Sequence, residues 1–249
     1  MAMKQLFVAA LVAAGSLVAT SASAAPLAGS FDLASLGNVQ VGPDYIDWGA
    51  VGPVFGPTDG DVIFTNGTGA YGLLGAYPLA GTLGGLKDLN LLTAPVNTAI
   101  SVENFLTSDA HTELEFTLTY LAAGSGTGAG CGNVPGTVCT PFPGSPFTIT
   151  NAQALPNGEV GSGVTVNMSG TVTDGVDDAT WNAAFTTQFA TMSSGEILAM
   201  IDDEGFVESS YSAQFVVEIE DTPVPEPASM VLMGLALSGM AMAIRRRRA

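Results

Sequence analysis

The chain has 249 residues, 47% of them hydrophobic, and a formal net charge of −17. Residues 26–223 alone contain 22 acidic residues and one base, Lys87, which gives them a formal charge of −21. Such a surface repels nucleic acid and anionic lipid, so electrostatic binding to either is excluded. A composition rich in Gly, Thr and Val favours a single all-β domain at residues 25–221, a β-sandwich or jelly-roll with one short helix.

Residues 1–24 have the form of a secretory signal peptide. Lys4 supplies the positive start, Leu6–Val18 is the apolar core, and Ala22-Ser23-Ala24 gives the small residues of a cleavage site. The mature chain is therefore expected to begin at Ala25 or Pro26.

Alternating apolar and polar residues, separated by Gly and Pro, predict strands throughout the domain. The clearest is Glu113–Tyr120, whose alternate residues Leu114, Phe116, Leu118 and Tyr120 are expected to face the core. The other predicted strands are Ser30–Leu33, Asn38–Val41, Tyr45–Trp48, Asp61–Thr65, Leu86–Leu91, Phe147–Asn151, Val164–Val172 and Glu208–Glu220. Asn66-Gly67 is a predicted turn, and most of residues 67–98 have no clear assignment.

One helix is predicted at Ser194–Ile201. Ser193 or Ser194 would cap it, Glu196 lies near its positive end, and Gly205 follows as a break. The nearby stretch Trp181–Phe189 stays open, because its aromatic spacing of four fits a helix while its threonine pair and the all-β context favour a strand.

Cys131 and Cys139 lie in a loop rich in Gly and Pro, residues 122–145. In an exported protein, two cysteines are expected to form a disulfide. Their spacing and the absence of a nearby histidine are unlike a zinc site. No cofactor is expected. Asp174, Asp177 and Asp178 are weak candidates for calcium, whose preferred ligands are oxygen atoms, and a solvated turn is the simpler interpretation.

The sequence predicts no catalytic residues, and the protein is not expected to be an enzyme. His111 is the only histidine, and it belongs to no recognisable nucleophile–base pattern. A glycoside hydrolase needs two carboxylates facing each other across a cleft, which a sequence cannot reveal. A sugar-stacking platform is a further option, with packing as the simpler interpretation; its candidates are Tyr45, Trp48, Tyr71, Tyr77 and Trp181.

The last stretch of the chain has three parts in a defined order. Pro225, Glu226 and Pro227 form a segment that its prolines hold extended. An uncharged run, Ala228–Ile244, follows, and as a helix it would span roughly 25 Å, short for a bilayer core of about 30 Å. The chain then closes with Arg245, Arg246, Arg247 and Arg248, which favour the cytoplasmic side and place the preceding domain outside.

This order of motif, apolar helix and basic end resembles the PEP-CTERM sorting signal. The resemblance covers Val224–Ala249, within an expected terminal segment at 222–249. It implies recognition at Pro225, Glu226 and Pro227 by an exosortase-type membrane transpeptidase. It also implies export by a Gram-negative bacterium, from an inner-membrane-anchored precursor to the cell envelope, surface or extracellular matrix.

The expected function is that of a structural component of the surface or of an exopolysaccharide-containing biofilm matrix. The alternative is a lectin-like module that binds carbohydrate, with or without calcium. A permanent single-span anchor would explain the tail without any sorting.

Overall fold

The computed structural model describes residues 27–49 and 60–219. The predicted signal peptide and the terminal segment at 222–249 lie outside these residues. The described strands are β1 (Gly29–Ser35), β2 (Val39–Val41), β3 (Tyr45–Asp47), β4 (Gly60–Gly69), β5 (Leu83–Leu86), β6 (Leu89–Asn90), β7 (Ala99–Ser108), β8 (Glu115–Leu121), β9 (Val138–Cys139), β10 (Thr148–Ala154), β11 (Val160–Thr173), β12 (Asp178–Phe189), β13 (Val207–Ser209) and β14 (Ser212–Glu218). A helix, α1 (Ser194–Glu204), lies between β12 and β13, and a 3₁₀ turn, Gly128–Gly130, lies between β8 and β9.

Ten strands form one antiparallel sheet that closes on itself. Eight of them follow the order β12-β14-β1-β4-β5-β7-β8-β11, and the pairing of β11 with β12 joins the two ends into a barrel-like sheet. The second half of β11 pairs with β8, while its first half pairs with β10, which in turn pairs with β9. The prediction of an all-β domain with one helix is confirmed, but the sandwich or jelly-roll arrangement is not.

A second, smaller sheet has the order β13-β2-β3-β6. The helix α1 directly precedes β13 in the chain. Ser193 caps α1 through a reciprocal pair of hydrogen bonds with Glu196, and Gly205 ends it in the left-handed conformation. Ile197 and Ile201 are the buried apolar residues of the helix. The predicted helix is thus confirmed and continues to Glu204. No helix in residues 27–49 and 60–219 is long and apolar enough to cross a membrane.

The core is aromatic. Phe31 stacks on Phe215 with ring centroids 4.9 Å apart and meets Tyr71 edge-on at 5.0 Å. Trp181 is fully buried, and its indole Nε1–H donates to the carbonyl oxygen of Thr171 at 2.9 Å. Because these rings come from parts of the chain that are far apart in sequence, they hold the sheet together across its interior.

Two sequence predictions fail in the first half of the domain, and one strand is missed. β4 runs through Asn66-Gly67, where a turn is predicted, because the pairing of β4 with β1 shifts register there and absorbs an extra residue. The predicted strand Leu86–Leu91 divides between β5 and β6, which belong to different sheets. The ten-residue strand β7 has no counterpart among the predicted strands.

Further differences arise where local alternation is interrupted. Tyr120 is 39% exposed and Leu121 is buried, because β8 has one extra residue opposite β11 and its alternation reverses. The predicted strand Glu208–Glu220 breaks after Ser209, and its two parts, β13 and β14, join different sheets. Trp181–Phe189, which the sequence leaves open, is part of β12.

Candidate functional site

Cys131 and Cys139 form a disulfide, as the sequence predicts. Cys139 belongs to β9 and is buried, and Cys131 follows the 3₁₀ turn. The bridge closes a sequence separation of eight residues and fixes the long connection between β8 and β10 to the sheet. Its role is structural.

Buried Asn151 joins this disulfide loop to the beginning of α1. Its Nδ2 donates to the carbonyl oxygens of Gly132 and Val134 at 2.7 and 3.0 Å, and its Oδ1 accepts from the backbone N–H of Ser194 at 2.8 Å. The Ser194 hydroxyl donates to the same Gly132 carbonyl at 3.0 Å. Asn151 is not among the candidate residues predicted from the sequence. The available signal is its position two residues after Ile149, on the core-facing side of β10.

A polar cluster lies at one end of the closed sheet, where three connections meet. Tyr77 comes from the β4–β5 connection, His111 and Glu113 come from the β7–β8 connection, and Asp174 comes from the β11–β12 turn. The Tyr77 hydroxyl donates to Asp174, and the Tyr77 and His111 rings meet edge-on at 5.6 Å. His111 Nδ1 lies 3.0 Å from Glu113 Oε1.

Hydrogen bonding sets the charges in this cluster. Asp174 Oδ1 accepts from the N–H groups of Asp177 and Val176, each at 2.8 Å, and these bonds together with that from Tyr77 lower the pKa of Asp174. The same hydrogen bond from Tyr77 to Asp174, with burial, raises the pKa of Tyr77 to about 12. The carboxylate of Glu113 accepts a hydrogen bond from its own backbone N–H, which is the main cause of its lowered pKa. The hydrogen bond with His111 lowers this pKa further. At neutral pH a protonated phenol therefore faces an ionised carboxylate, which is an arrangement suited to joining loops.

The three calcium candidates do not form a ligand set. Asp174 uses Oδ1 within its own turn and Oδ2 for Tyr77, and Asp178 is an exposed residue at the beginning of β12. Among residues 27–49 and 60–219, no group of three or more His, Cys, Asp or Glu side chains is placed to hold a metal ion.

Packing, the simpler interpretation of the five aromatic candidates for sugar stacking, is confirmed for three of them. Trp48, Tyr71 and Trp181 are at most 3% exposed. Trp48 packs against Phe185 with ring centroids 4.8 Å apart. Tyr45 and Tyr77 remain partly accessible, in β3 and in the β4–β5 connection.

A small apolar cleft opens between α1 and the neighbouring strands. Ile197 and Ile201 line it from the helix, and its other lining residues are also uncharged. The two hydroxyls in the lining, those of Thr187 and Ser209, are hydrogen-bonded to each other. The cleft supplies apolar packing and no group for acid–base chemistry.

The residues of the predicted sorting signal, from Pro225 to Arg248, lie outside the described residues. Residues 223–248 match the family model of the PEP-CTERM protein-sorting motif. This chain carries a PEP-CTERM sorting motif. The motif indicates a bacterial protein that is exported as a membrane-anchored precursor and is a target of exosortase. No curated protein and no solved structure matches the chain.

Proposed function

We propose that this protein is a structural component of the cell surface or extracellular matrix of a Gram-negative bacterium, delivered there by exosortase processing. The observation that carries the proposal is the match of residues 223–248 to the sorting motif. In this proposal exosortase processing delivers the mature domain, which then associates with exopolysaccharide in the biofilm matrix.

Three properties of the domain support a role outside the cell. The closed sheet leaves its eight strands without free edges, and free edges are where sheets add to one another and aggregate. The formal charge of −21 on residues 26–223 keeps copies apart in a crowded matrix. The disulfide adds stability where no cytoplasmic reductant reaches it.

We further propose that the domain is not an enzyme. What supports this is the use of its ionisable groups: His111 pairs with Glu113, and Asp174 binds Tyr77 and its own turn. The lectin-like alternative has less support, because Trp48 and Trp181, the two side chains best suited to stack on a sugar, are buried.

The sorting proposal is tested by the intact mass of the protein from envelope and medium fractions of its native host. We expect the wild type to lose the chain beyond the motif. Glu226→Gln is expected to retain Arg245–Arg248 and to stay in the membrane fraction. Glu218→Gln makes the same chemical change just before the motif and is expected to be processed normally. A wild-type protein that keeps its tail and is found only in membranes would show that the tail is a permanent anchor.

The matrix role is tested separately, by co-sedimentation of the processed protein with exopolysaccharide from the same host. Association that EDTA does not change supports the matrix role. Association that EDTA abolishes would favour the calcium-dependent lectin, and absence of association would contradict both.

A further inference from the structure

Three apolar side chains are exposed to solvent at the end of the closed sheet where the polar cluster lies. Leu74 is fully exposed and Leu73 is 82% exposed, both in the β4–β5 connection, and Val176 is 80% exposed in the β11–β12 turn. The hydrogen bond from Tyr77 to Asp174 joins these two connections. We call Leu73, Leu74 and Val176 the apolar rim.

The backbone holds the two leucines in this exposed position. Around them, Gly75 N–H donates to the carbonyl oxygen of Gly72 at 2.8 Å, and Tyr77 N–H donates to that of Ala70 at 2.8 Å. The neighbouring Tyr71 is fully buried and anchors the connection in the core. These contacts hold the backbone of the connection on both sides of the leucines, whose apolar surface is available to a partner.

The chain leaves the domain at this same end. Val217, near the end of β14, pairs with Gly29 of β1. Gly29 in turn pairs with Gly69, the last residue of β4, after which the connection with the two leucines begins. Two strand spacings, about 10 Å, therefore separate the exit of the chain from that connection. From Ile219 to Ala228, where the apolar run of the tail begins, nine residues extend at most about 30 Å.

We propose that the apolar rim contacts the outer leaflet of the membrane that holds the tail of the precursor. This inference rests on the membrane-anchored precursor of the proposed function. The tether limits how far this end of the domain can move from the bilayer, to at most about 30 Å. Leucine side chains are well suited to enter the boundary between head groups and acyl chains. Nearby acidic side chains, among them Asp109, Glu113 and Asp177, oppose an anionic surface. The contact therefore depends on the tether and favours zwitterionic lipid.

The test uses the full chain with its tail, reconstituted in phosphatidylcholine vesicles that contain nitroxide-labelled lipid. One cysteine is introduced by Leu74→Cys and labelled with an environment-sensitive fluorophore, the two native cysteines being joined in their disulfide. The matched control is Leu92→Cys, because Leu92 is 75% exposed in the β6–β7 connection at the opposite end of the sheet. We expect several-fold stronger quenching at position 74 than at position 92.

A second measurement labels Val176→Cys. In this background Leu73→Ser together with Leu74→Ser is expected to reduce quenching severalfold, and because both leucines are exposed the fold is retained. Equal, weak quenching at positions 74 and 92 would overturn the inference, as would cross-linking of two chains through position 74 without quenching by lipid.

Flotation with the vesicles reports separately on the tail. Failure to float overturns the anchored precursor, whereas flotation without quenching at position 74 overturns only the contact of the rim.

Discussion

Replacing Asn151 with alanine is expected to destabilise the domain strongly, because three parts of the fold meet at this one side chain. Asn151 is 2% exposed and connects β10, the disulfide loop and the beginning of α1. The substitution leaves the N–H of Ser194, itself fully buried, without its acceptor. It also removes the two donations to the carbonyl oxygens of Gly132 and Val134.

The magnitude follows from these groups. A buried N–H that loses its acceptor costs about 2 kcal/mol, and each lost hydrogen bond from Nδ2 costs about 1 kcal/mol. Asn151→Ala should therefore lower the free energy of unfolding by about 4 kcal/mol. Urea denaturation of the oxidised protein, followed by tryptophan fluorescence, measures this difference, since both tryptophans are buried.

The matched control is Asn182→Ala, the same change at an exposed position of β12, where a change within about 0.5 kcal/mol is expected. A loss below about 1 kcal/mol for Asn151→Ala, similar to that of the control, would refute the reasoning. It would mean that water or a rearranged loop replaces the three hydrogen bonds.

Three further outcomes are expected. Replacing Cys131 and Cys139 together by serine should lower the free energy of unfolding by about 2.5 kcal/mol, from the entropy of closing an eight-residue separation, as urea denaturation would show. Gly170→Ala should cost about 3 kcal/mol, because the added Cβ would lie 1.9 Å from the carbonyl oxygen of Thr117; Gly163→Ala, on the same strand with open space, should be nearly neutral in the same assay. Tyr77 has a raised pKa of about 12, so its stabilising contribution is complete below pH 10 and is lost as the pH rises toward 12. The stability difference between wild type and Tyr77→Phe, measured by urea denaturation at several pH values, should therefore shrink across that range, and a constant difference would contradict the assignment.

Several features of the protein follow from local sequence alone. The helix depends on Ser193, Glu196 and Gly205, which lie within thirteen residues of one another and specify its start and end without help from the rest of the chain. Strand alternation in Val164–Val172 predicts a strand that the structure contains within β11, because a period of two is a property of the strand itself. The pairing of Cys131 and Cys139 needed only the count of cysteines and the expectation of export.

Long-range pairing decided the rest. The closure of the sheet depends on β11 meeting both β8 and β12, and no local period encodes which strands become neighbours. The position of Tyr120 depends on an extra residue opposite β11, and the alternation of β8 gives no sign of it.

The polar cluster likewise depends on long-range pairing of strands. His111, Tyr77 and Asp174 are adjacent because three connections meet at one end of the closed sheet, although up to 97 residues separate them in sequence. The sorting motif, by contrast, lies in consecutive residues at 223–248 and needs no contact between distant parts of the chain to be recognised in the sequence. Sequence therefore determined the sorting motif, the disulfide, the helix and several of the strands. Tertiary structure alone determined which side chains meet and which apolar side chains remain exposed, because both depend on contacts between residues distant in the chain.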